Sequence, residues 1–192
     1  MPGRPTAATV TVSQPTLTLS GARIALAAAE QHAKTISTPM NIAIVDSHCH
    51  LLAFHRMDGA KITSINIALD KAFTAAGHRV PTSTYRENVW PGGPAFGLGN
   101  TNGGRFCTIG GGVPILDEEG KVLGAIGCST GTPAQDEAVA NAGKNAVLEL
   151  IRAEKEKVIE EEKVEERKTA KRRRINGTHK PLESTIVEKI TA

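Results

Sequence analysis

Residues 41–60 read NIAIVDSHCHLLAFHRMDGA, and this stretch decides the fold. Asn41 to Asp46 is a run rich in β-favouring residues. Ser47-His48-Cys49 makes a polar break, and His50 to His55 supplies a second strand candidate. So short a connection predicts an antiparallel hairpin, because parallel neighbours need a long crossover between them. The Arg56-Met57-Asp58-Gly59 step that follows carries ordinary turn residues.

The flanks of this hairpin have helical periodicity. Leu19, Ala22, Leu26, Ala29, Ala33 and Ile36 recur at intervals of three or four and predict a helix over 19–36, capped by Thr18 or Ser20. Ile62 to Gly77 repeats the pattern through Ile62, Ile65, Ala68, Leu69, Ala72 and Phe73, with Gly77 as the expected stop. Residues 80–105 are rich in Gly, Pro and Asn and predict an irregular loop long enough to carry function. Phe106 to Leu116 and Lys121 to Ser129 predict a second hairpin around Asp117-Glu118-Glu119-Gly120. A last helix over 132–153 presents Val139, Ala142, Ala146, Val147, Leu150 and Ile151. The order α-β-β-α-loop-β-β-α predicts an α+β domain, with a mainly antiparallel sheet flanked by helices.

Composition sets the surroundings. The chain has 192 residues, enough for one domain with appendages: a flexible lead over 1–15, the domain over 16–153, and a charged extension over 154–192, helical and then disordered. Hydrophobic residues make up 40% and aromatics only 3%, which predicts a core of Ala, Ile, Val and Leu and argues against a base-stacking surface for nucleic acid. The net charge of +3 is small and concentrated at Lys171-Arg172-Arg173-Arg174. That run has the form of a nuclear import signal or an anion patch, and equally of a solvated tail. Three cysteines, Cys49, Cys107 and Cys128, form no disulfide framework, and no apolar run approaches the 18 residues of a membrane span. With no signal-like apolar stretch at the N-terminus, the expectation is a cytoplasmic protein without a membrane partner.

Several motifs match in letters only. Gly97 to Gly104, GLGNTNGG, has Asn102 where a dinucleotide fingerprint needs Gly, and no strand–helix frame surrounds it. Gly127-Cys128-Ser129-Thr130-Gly131 spells a nucleophile elbow, but no His and acid follow in the order that chemistry requires. Gly110-Gly111-Gly112 opens an apolar strand and suits either a bulge or close approach of a ligand. His48 and His50 are two apart and share a face in a strand, so they are the candidate metal ligands, and imidazole suits several metals. His32 on the first helix and His78 after Gly77 are candidate axial ligands for a haem. Arg56 beside Asp58 suits a carboxylate contact, and Glu137 in the first turn of the last helix is a candidate proton-transfer group.

Taken in order, residues 41–60, Lys71-Ala72, Gly111-Gly112-Val113-Pro114-Ile115, Gly124-Ala125-Ile126-Gly127 and Gln135-Asp136-Glu137 resemble the HbpS/GlcG/PduO C-terminal-domain family, also called the haem-degrading domain group. The resemblance spans residues 17–152. It implies a profilin-like domain, homo-oligomers and, in some members, haem as cofactor with links to redox sensing. It implies Thr82, within Pro81-Thr82-Ser83, as the haem-binding counterpart of the HbpS-like members. For the PduO-type members, which use a histidine near the first helix, it implies His32 as the candidate counterpart. The chain departs from secreted members in its N-terminus and its charged extension. Three functions follow as expectations. One is a haem- or cofactor-binding protein using Thr82, His78 or His32. Another is an accessory enzyme on a small organic acid or aromatic metabolite using Arg56, Asp58 and Glu137. The third is a structural oligomer.

Overall fold

The computed structural model describes residues 10–177. They divide into two compact units between Leu150 and Ile151. The first unit is an α+β domain. Helix α1 (Leu19–Thr35) precedes strands β1 (Asn41–Asp46) and β2 (Leu51–Arg56). Helix α2 (Ser64–His78), strands β3 (Gly112–Leu116) and β4 (Val122–Ser129) and helix α3 (Pro133–Gly177) follow. The four strands form one antiparallel sheet in the order β2-β1-β4-β3.

The expected α-β-β-α-β-β-α order holds, and the local reasons are visible. Thr18 caps α1 by accepting a hydrogen bond from Gly21 N at 3.1 Å. Asp46 closes the β1–β2 turn, its Oδ1 accepting from His48 N at 2.8 Å and His50 N at 2.9 Å. Both hairpins depart from perfect register once, at Ile44/Val45 and at Ile115/Leu116.

Alternation along β1 sorts the core into two layers. Ala43, Val45 and Ala125 face α2 and pack on Ala68, Ala72, Ala75 and Ala76. Small residues on both sides let helix and sheet approach closely. At Gly127 a side-chain carbon would overlap the Ala68 carbonyl oxygen, so α2 lies directly on the β4 backbone. Ile42, Ile44, Ile115, Ile126 and Cys128 are buried on the other face. There α1 and α3 meet, with Gly143 closing on the Ala25 carbonyl and Ile126.

Two expectations need correction. Helix α2 runs through Gly77 and stops one residue after His78, where Arg79 takes the left-handed conformation at φ 61°. Strand β3 begins at Gly112, not Phe106, because the Cys107 amide donates to Thr74 on α2 and the Ile109 carbonyl accepts from Thr82. Helix α3 runs on past Ala153 to Gly177, through the charged extension. The loop over 80–105 is folded into short 3-10 turns at Thr82–Thr84, Arg86–Val89, Leu98–Asn100 and Asn102–Gly104.

The second unit, from Ile151 on, is the charge-dense part of α3. Val158, Ile159 and Val164 are exposed on it, and Lys168 pairs with Glu165 at 3.6 Å. Lys171 and Arg172 are exposed; the side chains of Arg173 and Arg174, the expected disordered end and the first nine residues lie outside what is described. Among the described residues no helix is long and apolar enough to cross a membrane.

Candidate functional site

The segment from His78 to Gly112 builds the site, and two threonines fasten it. Thr82 is fully buried; its hydroxyl donates to Ile109 O at 2.7 Å and accepts from Gly112 N at 2.9 Å. Thr74 on α2 donates to Asp70 O at 2.7 Å and accepts from Cys107 N at 2.9 Å. Arg105 adds a clasp, pairing with Asp70 at 3.2 Å and lying 4.0 Å over the Phe73 ring. A segment without strands is thus held by side chains that replace a ladder.

The end of α2 carries an aromatic cluster. His78 is exposed; its Nδ1 lies 2.6 Å from the Tyr85 hydroxyl, and its ring packs in a T-shape with Phe106, centroids 4.4 Å apart. Tyr85 in turn packs on Phe106 at 5.3 Å. Burial raises the Tyr85 phenol above its ordinary value, so it stays neutral. The 2.6 Å contact forms either with the phenol donating or with Nδ1–H donating. In the second arrangement Nε2 carries the lone pair, the state in which a histidine binds a metal. Trp90, Phe96 and Ile109, exposed on the same segment, add apolar surface.

Next to it lies a groove of about 690 Å³, lined by Ser83, Arg86, Thr108, Ile109, Gly110 and, from α3, Pro133, Ala134, Glu137, Ala138 and Asn141. Beneath the groove is a buried ion pair. Lys71 Nζ donates to Asp136 Oδ2 at 2.7 Å and to Cys128 O at 3.0 Å, and both side chains are at most 4% exposed. Asp136 Oδ1 accepts from Gly131 N at 2.9 Å, which fixes the β4–α3 junction. Gly111, at φ 122°, passes over this pair; a side-chain carbon there would fall 2.6 Å from Asp136 Cβ and 2.7 Å from Lys71 Nζ. Burial pushes the Cys128 thiol up, strongly enough to keep it protonated and inert. Burial also raises Cys107 and Cys49.

The sequence candidates separate in space. Thr82 is fully buried, its hydroxyl donating to Ile109 O and accepting from Gly112 N, so as folded it fastens the segment. His32 is half-buried on α1, and His78 ends α2, on the other face of the sheet; they do not converge. Arg56 and Asp58 are exposed beside Glu30, Lys34, His55 and Met57, whereas Glu137 lines the groove with Arg86, so the expected three-residue set does not assemble. His48 and His50 stack, with ring centroids 6.5 Å apart, and both are exposed. Both lie in the β1–β2 turn, not on a strand, and among the described residues no group of three or more His, Cys, Asp or Glu is placed to hold a metal. Arg86, the groove's cation, sits in the loop whose pattern is irregular, where no periodicity points to it.

With that geometry in place, known proteins add a pedigree. The family described as "Haem degrading protein HbpS-like" matches residues 17–145. The chain belongs to this HbpS-like family. A 15.0 kDa protein from the dhaT-dhaS intergenic region of Citrobacter freundii is 38% identical over 135 residues, 70% of this chain and 94% of that protein. The crystal structure of Klebsiella pneumoniae ORFY is 32% identical with a TM-score of 0.72, covering 74% of this HbpS-like chain and 97% of that one. The crystal structure of a PduOC:heme complex is 30% identical with a TM-score of 0.64, covering 68% and 94% respectively.

Proposed function

We propose that this protein binds haem through the segment that follows α2. The observation that carries the reading is His78: exposed, oriented by the Tyr85 hydroxyl at 2.6 Å and the Phe106 ring, with Nε2 left for a ligand. An imidazole with its other nitrogen hydrogen-bonded is the donor that haem iron takes as an axial ligand, so the residues present fit the group. Trp90, Phe96 and Ile109 add the apolar area a porphyrin covers, and Arg79 is a cation for its propionates. The HbpS-like family and the haem complex of PduOC support the ligand class. Bound haem would supply a redox-active iron; the chain's part is to hold the imidazole in place against Tyr85 and Phe106.

Titrating the purified full-length chain with haemin tests this. A saturable Soret shift is expected in wild type and in His32→Ala, and its loss in His78→Ala. Tyr85→Phe should retain binding but move the band, because the imidazole loses its hydrogen-bond partner. Thr82→Ala should keep the spectrum and lose stability, by about 1–3 kcal/mol for a buried Gly112 N–H left unpaired. A wild-type spectrum unchanged by stoichiometric haemin, or one unaffected by His78→Ala, would overturn the reading.

A further inference from the structure

The groove beside the proposed haem segment holds two opposite charges that are not spent on each other. Arg86 reaches it from a 3-10 turn and Glu137 from the start of α3. Among the described residues neither side chain has an ion-pair or hydrogen-bond partner; only the Glu137 backbone carbonyl is used, by Asn141 Nδ2 at 2.9 Å. Charged side chains on a shared concave surface ordinarily find each other. Here both walls are fixed by other bonds. Thr82 ties down the segment bearing Ser83 and Arg86, and the Lys71–Asp136 pair ties down the turn of α3 bearing Glu137. The Arg86 backbone is itself held at φ 37°, a left-handed conformation that an arginine adopts only when its surroundings impose it.

We propose that this groove is a binding site for a small zwitterion, an amino-carboxylate with its carboxylate at Arg86 and its ammonium at Glu137. A plain carboxylate would gain Arg86 but face Glu137, and a plain amine would meet the reverse. Only a ligand carrying both charges satisfies both walls. Guanidinium grips a carboxylate through two parallel N–H bonds. The Ser83 and Thr108 hydroxyls add hydrogen-bonding capacity, while Pro133, Ala134 and Ala138 offer apolar surface to the carbon linking the two charges. The floor is Gly110, where a side-chain carbon would stand 3.3 Å from Glu137 Oε2, Pro133 Cβ and Ser83 Cβ at once. Its absence leaves the space between the walls open. At about 690 Å³ the groove is of small-molecule size. The site rests on charges that the haem reading does not use at His78, and the two stand or fall separately.

The test is a titration of the isotope-labelled full-length chain followed by amide NMR. Glycine, β-alanine and 4-aminobutanoate serve as zwitterions of increasing charge separation, and acetate and ethylamine as single-charge probes. At least one zwitterion should shift the amides of Ser83, Arg86, Thr108 and Glu137 saturably, and bind roughly tenfold more tightly than acetate or ethylamine. Arg86→Gln and Glu137→Gln should each weaken that binding by roughly tenfold while leaving the rest of the spectrum, and the haemin titration of Glu137→Gln, unchanged. No saturable shift with any of the three, acetate binding as tightly as the best zwitterion, or wild-type affinity in either variant would overturn the proposal.

Discussion

Consider replacing Lys71 by methionine. The side chain is 1% exposed, and its ammonium holds Asp136 Oδ2 at 2.7 Å and Cys128 O at 3.0 Å. Lys71→Met fills the same channel but strands a carboxylate that is itself 4% exposed and takes a donor from the Cys128 carbonyl. Breaking one half of a buried pair costs about 3–5 kcal/mol, set against a total near 5–15 kcal/mol for a domain. Asp136→Asn is the complementary change. It keeps an oxygen for Gly131 N but leaves the Lys71 charge unbalanced, at about 3 kcal/mol. Combining the two removes both charges. The double variant should therefore cost less than the sum of the singles by about 2–3 kcal/mol. Urea unfolding followed by far-UV circular dichroism measures all four corners of this cycle. If the single costs add to within about 0.5 kcal/mol, the pair is not coupled and the account of the β4–α3 junction fails.

Other consequences can be checked with less effort. Gly127→Ala drives a methyl into the Ala68 carbonyl and should cost at least ~3 kcal/mol or abolish soluble expression, whereas Lys157→Ala on the charged part of α3 should stay within ~0.5 kcal/mol. Alkylation of the native chain at mild pH should leave Cys128 untouched until denaturant is added, with Cys49 and Cys107 modified first; labelling of native Cys128 at their rate would contradict its burial. Hydrogen bonds from Lys34 and then His55 lower the Glu30 carboxyl below 4.5. Its contribution to stability is present above the ordinary glutamate range and lost as pH falls through the depressed value. Glu30→Gln should remove that acid-side loss, about 0.5 kcal/mol after solvent screening, from a pH series of urea midpoints. A chain ended at Leu150 should fold with an unchanged thermal midpoint, and comparing its mass by light scattering with that of the full chain tells whether the charged helix takes part in self-association; an unfolded product would refute the division at Leu150.

Where the sequence is periodic it predicts the structure closely, and where it is not the reasons are physical. NIAIVD becomes β1 at the expected limits, and Thr18 caps α1, because alternation and capping act over a few residues. Gly77 looks like a stop, yet the helix ends only at Arg79, which accepts a left-handed backbone that glycine usually takes. Phe106 to Gly111 has strand-like residues, but Thr74 and Thr82 capture its backbone, and no local pattern announces a side chain from 30 positions away. Lys71 and Asp136 lie 65 positions apart, so neither the pairing nor the groove above it could be read from spacing. Thr82 stands out for its motif and fastens the segment to Ile109, while Arg86, four residues on, faces the groove.

The strand order also says how the chain has to assemble. Each hairpin closes through a short connection and can form early, but the middle of the sheet is the β1–β4 seam, where Asn41 and Thr130 meet across 89 positions. Contacts so distant in sequence come at the expense of loop entropy and slow folding. Until they form, β1 and β4 are both open edges, bearing Ile42, Ile44, Val45 and Ile126, which the finished protein buries. The best-protected line in the native molecule is therefore the most adhesive one in the newly made chain, and α2, laid across that seam through Ala68 and Gly127, has to dock before it is safe.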